Sequence, residues 1–142
     1  MSLTLEAAQL IIAKTFEHRK AGGMKPLGAV VMDTRGVVKA AALEDGSSLA
    51  RFDIASAKAR ASIMFNIGTR GVEKYATSRP HFMQGAMSAI SGGLLPIPGG
   101  AIIKNKEGVI VGSIGVSGDT SDNDELAALA GITAAGFVGD GG

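Results

Sequence analysis

The sequence predicts an α+β fold, an antiparallel sheet with helices packed on it, and three observations carry that expectation. Two pairs of β-rich runs are each split by a tight, glycine-containing turn, which is hairpin spacing. Helical stretches precede, separate and follow these hairpins, so the order is helix, hairpin, helices, hairpin, helix rather than an alternation of strands and helices. Small residues, including 21 glycines, recur inside the strand and helix patterns, which lets the elements approach closely.

Taken in order, Leu5, Ala8, Ile11, Ile12, Thr15 and Phe16 recur at helical spacing after Thr4, a capping residue. A helix is expected over residues 4 to 21, ending at Gly22-Gly23. LGAVVMD (27–33) and VVKAAAL (37–43) form the first hairpin around Thr34-Arg35-Gly36. After the loop EDGSS (44–48), the alanine-rich segment from Leu49 has no breaker until Gly68 and reads as a long, closely packed central helix. Short helical pieces follow around VEKYA and FMQGAMSAI, broken at Arg79-Pro80. LLPI (94–97), AIIK (101–104) and VIVGSIGV (109–116) read as strands, the last two joined by a four-residue loop, Asn105 to Gly108. A helix from Asp124 to Phe137 and a frayed glycine-rich tail close the chain.

At 142 residues, one domain spanning 1–142 is the expectation. The absence of cysteine excludes thiol catalysis, zinc-thiolate sites and disulfides. The N-terminal segment lacks the basic flank and cleavage site of a signal peptide, and no apolar stretch reaches the roughly 20 residues of a membrane span. A cytoplasmic protein with no membrane partner is expected. Fourteen basic and thirteen acidic residues are scattered, leaving no footprint for nucleic acid. With 46% hydrophobic residues in a short chain, apolar surface is left for a homo-oligomer.

The stretch IIKNKEGVIVGSIGVSGDTSDNDE (102–125) sets three glycines at three-residue spacing before a cluster of acids. It matches neither a dinucleotide-binding fingerprint nor a phosphate-binding loop. Gly112 and Gly115 lie inside a strand pattern, where a missing side chain marks a bulge or a close backbone approach. Asp122 with Glu125 fits a capping box, calcium-loop spacing is absent, and the carboxylates would repel phosphate.

Several segments, in order, resemble the GlcG/HbpS-like proteins, also called the haem-degrading domain family, which includes the PduO C-terminal domain. The matching pieces are AVVMDTRGVV (29–38), the EDG turn (44–46), FDIASAKARAS (52–62) with Lys58-Ala59, Thr69, PGGAI (98–102) and GSIGVSGDTSDNDE (112–125). The resemblance implies a small α+β domain with profilin-like or PAS-like layering, assembled as dimers and up to octamers, with a pocket near subunit contacts. It implies ligands as different as haem and small unsaturated acids from aromatic breakdown, and fold does not choose between them. The chain departs from the family pattern at Ala42-Leu43-Glu44 before the turn, at Ser47 after it, and at Ile102 where the family has proline.

Within this frame, the Gly99 and Gly100 amides at a strand end can face an anion, or can simply form a tight turn. Lys58 shares a helical face with Ile54, Ala61 and Ser62, so its ammonium sits in an alanine-lined groove where burial lowers its pKa, unless it snorkels outward. Thr69 and Arg79-Pro80-His81 fall in the irregular region, where a scaffold presents binding groups. His81 is the acid–base candidate. Arg51, Arg79 and Lys58 are cations able to grip a small carboxylate, with Asp45 of the EDG turn at the pocket rim.

One reading is therefore a pocket for a small anionic organic acid, with His81 and Lys58 catalytic and Arg51, Arg79, Thr69, Gly99, Gly100 and Asp45 binding. Its alternative is a haem-binding module without turnover, with His81, His18, a methionine or Tyr75 as the available axial donors. A non-catalytic accessory oligomer is a third. No metal site and no certain cofactor are expected, haem being the one the resemblance suggests. Whether the protein is an enzyme is left open.

Overall fold

The computed structural model describes residues 3–142. Helix α1 (Leu5–Ala21) leads into β1 (Gly28–Met32) and β2 (Val38–Leu43), followed by α2 (Arg51–Phe65), α3 (Thr69–Ser78) and α4 (Pro80–Ala89). Strands β3 (Gly100–Lys104) and β4 (Ile110–Ser117), helix α5 (Ser121–Ala134) and β5 (Val138–Asp140) complete the chain. The five strands form one antiparallel sheet in the order β2-β1-β4-β3-β5. Helices α1 and α5 cover one face, burying Ile11, Ile12, Ala127, Ala128 and Ile132 against Ala29, Val31, Ile103, Ile114 and Val116. Helix α2 lies on the other, with Ala55 and Ala59 against Val30 and Met32.

Strand alternation explains the second face. The β4 residues turned toward α2 are Ser113, Gly115 and Ser117, all small. A Cβ on Gly115 would collide with the Ala55 carbonyl oxygen and lie 2.7 Å from Ala59 N. Ser113 Oγ donates to Ala59 O at 2.8 Å, tying the helix backbone to the strand. The expectation of a close backbone approach at Gly112 and Gly115 is what the structure shows.

Three expectations are corrected. LLPI is not a strand, because Pro96 and Pro98 withhold N–H groups from a ladder and the segment crosses α2 as coil, with Leu95 N bonded to Ala57 O. Helix α5 starts at Ser121 and is capped by Thr120, whose hydroxyl accepts from Asn123 N, while Asp122 and Glu125 both clamp Arg70 on α3. The tail is not frayed: Val138–Asp140 pairs with Ile102–Lys104 as the far edge strand, and Leu129 and Ile132 pack against Gly139.

Replacing Gly115 with alanine forces α2 off the sheet and is expected to destabilise by about 3 kcal/mol, read as a lower denaturation midpoint at unchanged m-value. Gly85→Ala, inside α4 with open space around its Cα, is expected to stabilise by roughly 0.5–1 kcal/mol. Equal effects for the two would refute the close-approach account.

Candidate functional site

The polar groups converge where the N-termini of α2, α3 and α5 meet the end of β4 and the start of β3. Lys58 is turned onto the sheet by the helical repeat that also points Ala55 and Ser62 inward, and it is only 3% exposed. Its Nζ donates to Val116 O at 2.9 Å and to Asp124 Oδ2 at 3.2 Å. Asp124, 2% exposed, accepts a further bond from Asp119 N at 2.9 Å through Oδ1. Burial, opposed by Asp124, pulls the Lys58 ammonium below its usual range, and neighbouring Arg51 adds to the effect. Burial likewise pushes the Asp124 carboxyl up, against the pull of Lys58. Asp119, held by the Lys25 amide, the Asn123 side chain and the Thr120 amide, falls to about 2.

Gly99 and Gly100 sit directly beneath this pair. A Cβ on Gly99, whose φ is +125°, would lie 2.6 Å from Lys58 Nζ, and one on Gly100 would lie 2.6 Å from Lys58 O. The glycines make room for α2. The Gly100 amide is used internally: it donates to Thr69 Oγ1 at 2.8 Å, and the Thr69 hydroxyl donates back to Gly100 O at 3.2 Å. Arg51, at the first turn of α2, donates from Nη1 to Ser117 Oγ at 2.8 Å and from Nε to Ser48 Oγ at 3.0 Å. Among the described residues it has no carboxylate partner.

The structure therefore brings Lys58, Thr69, Gly99, Gly100 and Arg51 together and leaves Arg79, His81 and Asp45 elsewhere. His81 is exposed at the start of α4, a helix that packs on α3 and, through Phe82 and Met83, on Phe65 and Ala61 of α2. Arg79 lies 5.3 Å from the Phe82 ring centroid, in a cation–π contact. Asp45 is exposed in the turn after β2. Beside it, Glu44 accepts from Arg19 Nε at 2.9 Å and Nη2 at 2.7 Å and from the Leu27 amide at 2.9 Å. Sequence reasoning missed Asp124 as the partner of Lys58 and Glu44 as that of Arg19. The departure of Glu44 from the family pattern, opposite a basic last turn of α1, was the available signal for the second.

A separate groove opens between the outer flank of α1 and β2. It has a volume of about 520 Å³ and is lined by Leu5, Gln9, Ile12, Ala13 and Phe16 from the helix and by Lys39 and Ala40–Ala42 from the strand. The only charged side chain lining it is Lys39, which has no ion-pair partner among the described residues.

The family model of the haem-degrading HbpS-like proteins matches residues 3–133. The chain belongs to this family. Among solved structures, a double mutant of HbpS from Streptomyces reticuli is 29% identical, with 94% of this chain and 87% of that chain covered at a TM-score of 0.82. A second HbpS structure is 27% identical over 94% of this chain and 90% of that one, also at 0.82. A PduOC–haem complex, 18% identical, shares the fold over 96% and 97% of the two chains at 0.84. No curated protein matches the chain. The HbpS-like assignment and the α+β fold expected from the sequence are both confirmed.

In this HbpS-like chain, Lys58→Met strands a buried carboxylate and is expected to lower stability by about 3–5 kcal/mol, whereas the Lys58→Met/Asp124→Leu double variant loses less than the sum of the singles. The pH dependence has a definite sign. A lysine with a depressed folded pKa releases its proton in the fold first, so the unfolded chain binds more protons and stability rises with pH in that window. The advantage of the native chain over Lys58→Met is therefore expected to widen as pH climbs from the folded pKa of Lys58 toward the ordinary 10.5. A constant difference in urea titrations across that range would contradict it.

Proposed function

We propose that this HbpS-like chain handles haem, holding the porphyrin in the apolar groove between α1 and β2. The observation that carries the reading is the groove's lining, joined to membership of a haem-degrading family. Its volume falls within the roughly 300–1,000 Å³ typical of small-molecule sites. Leu5, Ile12, Phe16 and the alanines of β2 suit the faces of a macrocycle, and Lys39 suits a propionate.

These residues fit the porphyrin and not the iron. No imidazole, thioether or phenol lines the groove, and the helical repeat puts His18 on the side of α1 opposite Phe16. Haem bound here supplies iron with no strong protein donor, while Ile12 and Phe16 exclude water and Lys39 sets the orientation.

A second reading, the small-carboxylate pocket, has one specific observation in its favour. Arg51 is bonded only to hydroxyls, beside the buried Lys58, and retains donors for an anion. In that reading the acid–base role proposed for His81 requires a neighbouring copy, since His81 is exposed on α4, away from the Lys58 junction. Saturable stabilisation by a small dicarboxylate that Arg51→Met abolishes would favour it.

For the haem reading, parallel titrations with haemin and with iron-free protoporphyrin are expected to saturate with affinities within about threefold of each other, since the iron adds little. Ala13→Glu, on the exposed flank of the groove, should weaken both about tenfold or more while leaving the melting temperature nearly unchanged. Binding of haemin alone, untouched by Ala13→Glu, would place the haem elsewhere.

A further inference from the structure

The cavities on the α1 face of the sheet adjoin one another. At one end of the α1–β2 groove, a polar cavity of about 480 Å³ is lined by Leu3, Asp33, Thr34, Arg35 and Ile110 and meets the groove at Lys39. At the other end, a cavity of about 320 Å³ bounded by Arg19, Lys20, Leu43 and Glu44 meets it at Phe16. Together they form a trough along β2, apolar in the middle and polar at both mouths. Its helical wall between Leu5 and Phe16 is about 16 Å long, at roughly 1.5 Å per residue.

Lys39 stands where the polar and apolar parts meet, and the strand register puts it there. Val31 pairs with Ala40 but Met32 pairs with Val38, so Lys39 is the extra residue of a β-bulge. A bulge breaks the two-residue alternation and re-aims the side chain it carries. A lysine on a bulge also guards an edge strand, and that role alone needs only an ammonium in open water. Here the side chain lines both cavities, while the three alanines that follow leave the groove free of bulk and charge. Of the two cations in the polar cavity, Arg35 is held by Asp33 at 2.8 Å, and Lys39 has no ion-pair partner among the described residues. At the far mouth, Glu44 and Asp45 offset Arg19 and Lys20, so nothing there calls for a second anion.

One free cation at the head of a long, narrow apolar wall is complementary to an amphiphile with one anionic head and one flexible tail. We propose that the trough binds a straight-chain fatty acid, with its carboxylate on Lys39 and its tail running along the groove toward Phe16. The inference stands on the continuity of the cavities and on the bulge, and not on the haem reading, although the two ligands compete for the same groove.

Calorimetric titration of the native chain with octanoate, decanoate and dodecanoate, each below its micelle concentration, is expected to show saturable binding. Affinity should tighten about two- to fourfold per added methylene as the tail is buried. Lys39→Gln should weaken decanoate about tenfold and leave decanol unchanged, because only the acid brings a charge to Nζ. Ala13→Glu, on the groove's exposed flank, should weaken both. No saturable binding, a flat chain-length series, or equal losses of decanoate and decanol in Lys39→Gln overturns the proposal. Haemin separates this site from the haem reading. Haemin that decanoate displaces supports both. A chain that takes haemin but no decanoate overturns the fatty-acid site and leaves the haem reading intact, whereas one that takes decanoate with the Lys39 and Ala13 effects, but no haemin, does the reverse. Simultaneous binding, with decanoate still sensitive to Lys39→Gln, supports the fatty-acid site and moves the haem out of the groove.

Discussion

Most of this structure depends on the backbone of α2 lying almost on the sheet. An ordinary helix-on-sheet layer is spaced by interdigitating side chains, but here Gly115, Gly100, Ser113 and Ser117 face Ala55, Ala59 and Ser62. With so little side chain between them, main-chain and short polar groups meet directly: Ser113 bonds the Ala59 carbonyl, and Thr69 holds Gly100 by both its amide and its carbonyl. These contacts replace the dispersion energy that larger residues would supply. They also make the interface intolerant of even one added methyl group, since backbone atoms cannot rotate away as side chains do.

Lys58 follows from that geometry. A lysine on the inner face of a closely packed helix cannot snorkel to water, so its ammonium must be satisfied where it lies, and the Val116 carbonyl and Asp124 do so. Asp124 in turn fixes the start of α5, because its second oxygen takes the Asp119 amide. One ion pair thus connects α2, the end of β4 and the first turn of α5. Both partners carry a desolvation penalty, as the opposite directions of their pKa shifts record. A buried pair of this kind adds little net stability, but the chain loses heavily if either half is removed.

How much of this can be read from sequence varies with the range of the interaction. The close approach at Gly115 was legible, because a glycine inside a strand pattern marks a bulge or a place where a second backbone comes within reach. The burial of Lys58 was legible from its alanine neighbours, but its partner was not: Asp124 is 66 positions away and sits among other acids with the same local signal. The capping box assigned to Asp122 and Glu125 obeyed a sound local rule, and Arg70 overrode it from another element. The strand expected at LLPI failed for a local reason, a proline inside the short apolar run and a second just after it, that could have been weighed at the outset. The tail became β5 because β3 offered an open edge, which no pattern in five terminal residues announces.

The same idea of an open edge bears on function. At the junction around Lys58 and Asp124 most groups that could act on a substrate already serve the fold, while Arg51 keeps free donors and the buried Ser62 hydroxyl has no partner. Further unspent chemistry lies elsewhere: apolar residues of β2 and α1, Lys39 without an ion-pair partner among the described residues, and a strand whose outer backbone groups have no partner among them. The junction at Lys58 serves the groove indirectly, by holding α2 and with it the sheet from which β2 extends.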